Sequence, residues 1–151
     1  MKFKLNKTNL FIAFSVIIVS SCVANVATEA LNHSREKQAV KDAVPALNAQ
    51  FQKMKFPIAV SQDLTLQKIY VDQNLVIKNL FSVRQVDDTQ KVIDYLDSYA
   101  KVTLRENFCR QELMKEAMKF GFTIESDFYM GEKLIRSYQV NHTMCNLRNY
   151  K

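Results

Sequence analysis

The spacing of the hydrophobic residues changes three times along this chain, and that alternation constrains its fold more than any other feature. From Val40 to Met54 apolar residues recur at every third or fourth position, which is typical of a helix with one buried face. Between residues 64 and 83 the spacing becomes two, as in half-buried strands. Helical spacing returns over residues 92–120 and strand spacing over residues 122–140. The order helix, hairpin, helices, hairpin predicts an α+β fold.

Turn and capping residues separate these segments. Asp72-Gln73-Asn74 lies between the first two strands and Gly131 between the last two, where hairpin turns are required. Asp87-Asp88 precedes the second helical segment as capping residues do, and Gly121 follows its last apolar residue. Pro45 interrupts the first helical stripe, so that helix either kinks or begins its regular part there.

Length and composition fit one globular domain. With 151 residues the chain is long enough for one hydrophobic core and short for two domains of ordinary size. Its content of 48% hydrophobic residues, with only 2 Gly and 2 Pro, argues against a disordered chain. We predict a four-stranded antiparallel sheet made of two hairpins, packed against helices.

The first 22 residues have the layout of an export signal. Lys2, Lys4 and Lys7 precede an apolar run from Leu10 to Val19, and two serines follow it. A transmembrane helix needs ~20 apolar residues, about twice the length of this run. A permanent membrane anchor is the alternative, and it requires a span that continues through polar residues to Ala27.

Val19-Ser20-Ser21-Cys22 resembles the lipobox of bacterial lipoproteins, in which an aliphatic residue and two small residues precede a lipid-modified cysteine. The resemblance implies cleavage before Cys22, a diacylglycerol on its sulfur and an acyl chain on its new amino group. Val23 in place of an aspartate implies an outer-membrane anchor facing the periplasm. An ordinary signal peptide with an incidental thiol at Cys22 is the alternative. The implied organisation is a signal peptide over residues 1–21, a lipid-anchored tether over 22–37 and a single periplasmic α+β domain over 38–151.

Once Cys22 carries lipid, the exported part keeps two cysteines, Cys109 and Cys145. An even number of cysteines in an oxidising compartment predicts a disulfide between them. Two buried free thiols are the alternative. The exported part also resembles uncharacterised small secreted proteins of Gram-negative bacteria, which share a helix, a hairpin, a cysteine in the central helices and a cysteine after the last strand. That resemblance implies no activity.

Catalytic and metal-binding interpretations have little support in the residues. Cys109 and His142 are one candidate nucleophile–base pair, but no family signature or nearby glycine accompanies Cys109, and a disulfide removes its thiolate. His33 and His142, the only histidines, do not have the spacing of paired metal ligands with a cysteine. We therefore predict no catalytic residue, no cofactor and no metal.

Charge argues against nucleic-acid binding. The 21 basic residues include three lysines before Cys22, so a chain that begins at Cys22 has 18 basic and 15 acidic residues and a net charge of +3. No run of basic residues remains after this removal. The sequence predicts neither a nucleic-acid partner nor a small-molecule ligand.

These features predict a noncatalytic envelope lipoprotein that binds another envelope component, for example as an accessory factor in secretion or pilus assembly. An inhibitor or immunity lipoprotein that blocks a cell-wall hydrolase or toxin is the first alternative, with the turn at Asp72-Gln73-Asn74 or at Gly131 as the inserted loop. An enzyme of unrecognised type is the second. Most aromatic residues are predicted to fill the core, and Asp97 with Lys101 to form a solvated helix face. The tyrosines that would serve as interface anchors if exposed are Tyr70, Tyr95, Tyr129 and Tyr138.

Overall fold

The structure is a computed structural model that describes residues 37–146. The predictions for the signal peptide, for Cys22 and for His33 lie outside those residues. The helices are α1 (Lys37–Asp42), α2 (Val44–Gln52), α3 (Thr89–Tyr95), α4 (Lys101–Arg110), α5 (Glu112–Lys119) and α6 (His142–Asn146), and the strands are β1 (Ile58–Ala59), β2 (Leu64–Val71), β3 (Val76–Val83), β4 (Thr123–Met130) and β5 (Lys133–Val140). Within this part of the chain, no helix combines the length and the apolar character that crossing a membrane requires.

The strands form one sheet in the order β1-β2-β3-β4-β5. Both predicted hairpins are confirmed, since β2 pairs antiparallel with β3 and β4 pairs antiparallel with β5. The prediction of four antiparallel strands is wrong in two respects. The sheet has five strands, because the two-residue strand β1 extends it beside β2, and the central pair β3–β4 is parallel.

The parallel pairing follows from the position of the helices between the two hairpins. Residues 89–119 are helical and connect the end of β3 to the start of β4. Such a long crossover returns the chain to the end of the sheet where β3 begins, whereas antiparallel neighbours need only a short turn. Val76 is therefore aligned with Thr123 and Val83 with Met130. The hydrophobic spacing of each hairpin is the same in either arrangement, so it did not distinguish them.

The first helical stripe folds as predicted, with a break near its proline. Helix α1 ends at Asp42, and α2 begins at Val44 with Pro45 in its first turn. A proline is favourable there, because the first amide groups of a helix have no partner within the helix. Val40, Leu47 and Phe51 are buried in the hydrophobic core.

Helices α3 and α4 form one continuous helical segment that contains a π-helical turn at Leu96–Ala100. Asp88 is the N-cap residue of α3, and its carboxylate accepts a hydrogen bond from the Lys91 amide. After α5 the chain turns at Gly121, whose φ of 98° is a conformation that suits glycine. The buried apolar residues of this helical stripe are Val92, Leu96, Ala100, Leu104 and Phe108.

One hydrophobic core joins the helices to one face of the sheet. Alternate residues of β3 are buried, and Phe81 stacks on Phe128 of β4 with ring centroids 5.0 Å apart. Cys109 in α4 and Cys145 in α6 form the disulfide that the sequence predicts, with Cα atoms 5.2 Å apart. This bond fixes the segment after β5 to the helical layer.

Candidate functional site

A groove runs between the edge strand β5 and the helical segment that contains the π-helical turn. We call it the β5 groove, and its volume is about 390 Å³. Its position follows from the sheet order, because β5 is the last strand and has β4 as its single strand neighbour in the described chain. The groove is lined by Asp97, Lys101, Val102, Arg105, Arg136, Ser137, Tyr138, Gln139, Val140 and Met144.

The lining residues show that the groove follows the edge of β5 rather than one of its faces. Successive side chains of a strand point to opposite faces of the sheet. All five consecutive residues from Arg136 to Val140 line the groove, whereas a pocket over one face would contact alternate residues. Tyr138 and Val140 are buried, and Ser137 and Gln139 are exposed, as the alternation requires. The backbone edge of β5 therefore forms one wall.

The opposite wall is one side of the helical segment. Asp97, Lys101 and Arg105 are spaced four residues apart, which places them about one turn apart along the helix. The groove is also partly apolar. Val102 is one of two large hydrophobic residues that are exposed among the described residues, with 45% of its surface accessible, and Met144 of α6 also lines the groove.

A hydrogen-bonded cluster around Asp97 joins the two walls of the groove. The Arg136 guanidinium donates to both carboxylate oxygens, with Nη2 at 2.9 Å from Oδ2 and Nε at 3.0 Å from Oδ1. The Tyr138 hydroxyl donates to Oδ1 at 2.7 Å. These bonds, that from Arg136 first, lower the pKa of Asp97, while burial and the neighbouring carboxylate raise the pKa of Tyr138. The Asp97 carboxylate is therefore ionised at neutral pH and already accepts hydrogen bonds from Arg136 and Tyr138.

The two ends of β5 differ in their backbone edges. Near its start the register with β4 shifts between Phe128 and Tyr129, so that Ile135 is the additional residue of a bulge. The Arg136 guanidinium also donates through Nη1 to the Ile135 carbonyl oxygen at 2.9 Å. A bulge and a bonded carbonyl both discourage strand pairing there. Pairing is therefore directed to the second half of β5, at Ser137–Val140.

The predicted interface tyrosines have different environments. Tyr138 is buried and contributes to the groove through its hydroxyl group, so it is not an exposed anchor. Tyr70 is partly buried, and the Lys68 ammonium group lies 5.1 Å from its ring centroid. Tyr95 and Tyr129 are also only partly buried. Of the four, Tyr138 alone lines the β5 groove.

The structure does not assemble the catalytic pair considered above. Cys109 is buried and bonded to Cys145, so it has no free thiol for attack. His142 lies on α6, where its Nε2 atom is 2.9 Å from the Asn146 amide nitrogen. Among residues 37–146, no group of three or more His, Cys, Asp or Glu residues is placed to hold a metal ion.

Sequence reasoning missed most of the groove. Asp97 and Lys101 are exposed, as expected of a solvated helix face, but the pairing of Asp97 with Arg136, 39 residues further along the chain, was not predicted. The four-residue spacing of Asp97, Lys101 and Arg105 was the available signal, because it indicates one polar side of a helix. Nothing local indicated that this side would face the last strand. The π-helical turn, a feature that is frequent at functional sites, also had no signal in the sequence.

The chain matches no protein-family model and no curated protein. Its fold is similar to that of a protein from Pseudomonas aeruginosa assigned as secreted, with a TM-score of 0.62 and 16% identity over 75% of this chain and 98% of that one. It also has a weaker similarity to the pilotin of the Vibrio vulnificus type 2 secretion system, with a TM-score of 0.48 and 13% identity over 74% of this chain and 93% of that one. At such identities the first similarity shows a shared fold alone.

Proposed function

We propose that this protein is a noncatalytic lipoprotein of the bacterial envelope, anchored through Cys22, that binds an extended segment of another envelope protein along the β5 groove. The observation that carries the proposal is the groove itself, in which the backbone edge of a strand faces a helix wall that is both cationic and partly apolar. An accessory role in secretion or pilus assembly is the physiological context that we propose for it.

The location is supported by two features of different kinds. Val19-Ser20-Ser21-Cys22 has the residue pattern at which lipoprotein precursors are cleaved and acylated. The bond between Cys109 and Cys145 belongs to a class that persists in oxidising compartments, such as the periplasm, and is rare in the cytosol. Two or more acyl chains, each methylene contributing ~0.8 kcal/mol, hold a small domain on a bilayer without a spanning helix.

The candidate nucleophile gives no support to the enzyme alternative. Cys109, the one residue for which the sequence suggested a reactive partner, is consumed in a disulfide. In the β5 groove the carboxylate of Asp97 accepts hydrogen bonds from Arg136 and Tyr138, which link the helix wall to β5. Peptide recognition by strand addition uses the backbone of an edge strand for affinity and neighbouring side chains for specificity, and among the described residues β5 offers both.

The anchor is tested by expressing the full-length chain in a bacterial host supplied with a clickable palmitate analogue. We expect the label on the wild-type protein and its recovery with membranes, and loss of both in Cys22→Ala. An unlabelled wild-type protein that keeps Met1, or a Cys22→Ala variant that keeps the label, would contradict the proposal.

Binding at the groove is tested in the same cells with a photoreactive amino acid in place of Ser137. Gln67, an exposed residue of β2, is the matched control position in a strand near the other edge of the sheet. We expect Ser137 to give a discrete adduct that mass spectrometry identifies as an envelope protein and that Lys101→Glu reduces. Absence of an adduct, or the same adducts from Gln67, would refute the proposed binding site.

A further inference from the structure

We infer that the ligand of the β5 groove is an acidic extended peptide that joins the sheet as a sixth strand beside Ser137–Val140, with its acidic side chains toward Lys101 and Arg105. This inference rests on the proposed function and specifies the chemistry of the partner. It follows from three properties of the groove, namely its backbone edge, its dimensions and its charge.

The backbone edge favours an extended ligand over a helical one. A helix presents no free backbone groups along its side, so it cannot use the hydrogen-bonding capacity of an edge strand. An extended segment uses it fully. The bulge at Ile135 and the bond from Arg136 to its carbonyl oxygen block the first half of β5, so the register of the added strand is limited to the second half.

The strand wall and the helix wall of the groove have similar lengths, each measured along its own axis. Arg136 to Val140 spans about 13 Å at ~3.3 Å per strand residue. Asp97 to Arg105 spans about 12 Å at 1.5 Å per helical residue. An extended segment of four or five residues thus has the length of this stretch of β5. Lys101 and Arg105, about 6 Å apart along the helix axis, match two side chains at positions i and i+2 of a strand, which are separated by about 6.7 Å.

The charge of the groove lining favours acidic residues in that segment. The ionisable lining residues other than Tyr138 are Lys101, Arg105, Arg136 and Asp97, which together carry a net charge of +2. Lys101 and Arg105 both line the helix wall, so two cationic side chains lie along this part of the groove. Acidic side chains facing the helix wall would complement them, and an apolar side chain among them would cover Val102, which is 45% exposed.

The same charge disfavours a second copy of this chain as the occupant. Pairing of two β5 strands around a two-fold axis would bring two grooves of net charge +2 together. Like charges in close apposition oppose such an interface. We therefore assign the groove to a different, acidic protein segment.

The test uses the full-length, acylated protein in detergent micelles and fluorescent peptides followed by anisotropy. The probe is Thr-Val-Thr-Glu-Thr-Glu-Thr, and the reversed order Thr-Glu-Thr-Glu-Thr-Val-Thr covers the other strand direction. We expect at least one of them to bind about tenfold more tightly than its counterpart with lysine in place of glutamate. N-methylation of the central amides keeps the side chains and removes backbone donors, and it should weaken binding by a similar factor.

Protein variants then locate the site. Lys101→Glu should weaken binding of the acidic probe about three- to tenfold and improve binding of the lysine probe, because exposed charge pairs are individually modest. Lys55→Glu, the same charge change at an exposed residue of the loop before β1, is the control and should leave both affinities unchanged. Circular dichroism should give superimposable spectra for the two variants and the wild type.

Three results would overturn the inference: equal binding of acidic and basic probes, tolerance of N-methylation, or no binding of any peptide. Failure of the proposed function is distinguishable, because it would appear as loss of the Ser137-specific adduct in cells. A Ser137 adduct together with peptides that do not bind would leave the groove as a partner site and refute the acidic strand as its ligand.

Discussion

The two edges of the sheet differ in how the described residues cover them. On one side, β1 covers part of β2 through the pairs Ile58–Leu66 and Ala59–Thr65. Further along the same edge, the Asn48 side chain of α2 bonds both backbone groups of Val71, donating to its carbonyl oxygen and accepting from its amide, each at 2.7 Å. On the other side, β5 faces a groove and has one strand neighbour in the described chain.

The comparison suggests why the second edge is available for a partner. Uncovered strand edges promote aggregation, so folded proteins close or protect them. Here the chain itself covers the β2 edge at Thr65, Leu66 and Val71. The β5 edge is protected in its first half by the bulge and by Arg136, and in its second half it adjoins a charged wall that repels another copy of itself. An edge protected by charge remains open to a partner of opposite charge.

The largest expected effect on stability comes from removing the disulfide between Cys109 and Cys145, next to the β5 groove. In the chain-entropy model, a disulfide with a sequence separation of 36 contributes about 4 kcal/mol. The double variant Cys109→Ser/Cys145→Ser should lower Tm by roughly 10–25 °C and, by releasing α6 with Met144, weaken peptide binding. Thermal scans of the wild type with and without reductant check this prediction, and an unchanged Tm in both experiments would contradict it.

Removing the Asn48 side chain from the β2 edge should lower the stability of the protein without changing its affinity for the peptide. Asn48→Ala leaves the amide and carbonyl groups of the buried Val71 without their side-chain partner, which should lower the free energy of unfolding by about 2–3 kcal/mol. Asn48→Asp keeps the acceptor and loses the donor, so it tests the two bonds separately. Gln52→Ala, at an exposed position of the same helix, should stay within ~0.5 kcal/mol.

Urea titrations measure these stabilities, and probe anisotropy measures binding in the same samples. If Asn48→Ala unfolded as readily as Lys101→Glu, or weakened peptide binding as strongly, the two edges would not have the separate roles assigned to them.

The smallest expected effect is a pH dependence of stability that comes from Asp97 and its hydrogen bonds to Arg136 and Tyr138. The pKa of Asp97 is lowered in the folded protein, by the hydrogen bond from Arg136 first and by that from Tyr138 next, relative to an ordinary value of 3.8. The stability that this shift contributes is therefore fully present above about pH 4 and is lost as the pH falls through the folded-state pKa. Because the Asp97 and Arg136 side chains are 46% and 36% exposed, the contribution of their ion pair is small.

We accordingly expect Asp97→Asn to be slightly less stable than the wild type at pH 7 and to approach it below pH 4. Denaturation at a series of pH values measures the difference, with Asp87→Asn as a control for loss of one exposed carboxylate. A difference that grows as the pH falls would show that the Asp97 cluster does not stabilise the groove.

Much of the fold was predictable because its signals are local. The burial of Leu104 and Phe108 follows from helical spacing, the Asp88 cap from its position before an apolar stripe, and the turn at Gly131 from its place between alternating segments. Each signal extends over a few residues. The groove joins Asp97 to Arg136 and Val102 to Met144, and no short window of sequence contains either pair.

The sequence by itself determined the types and order of the main helices and strands, both hairpins and, through Cys109 and Cys145, the covalent link between the helical layer and the segment after β5. Tertiary structure decided that β3 and β4 run parallel, that β1 and Asn48 cover part of one edge, and that a helix wall lies beside the other. The physical reason is the distance along the chain over which each kind of interaction acts. Hydrophobic spacing and capping act within a turn or a strand, whereas strand order and groove shape depend on how a long helical crossover packs against the sheet.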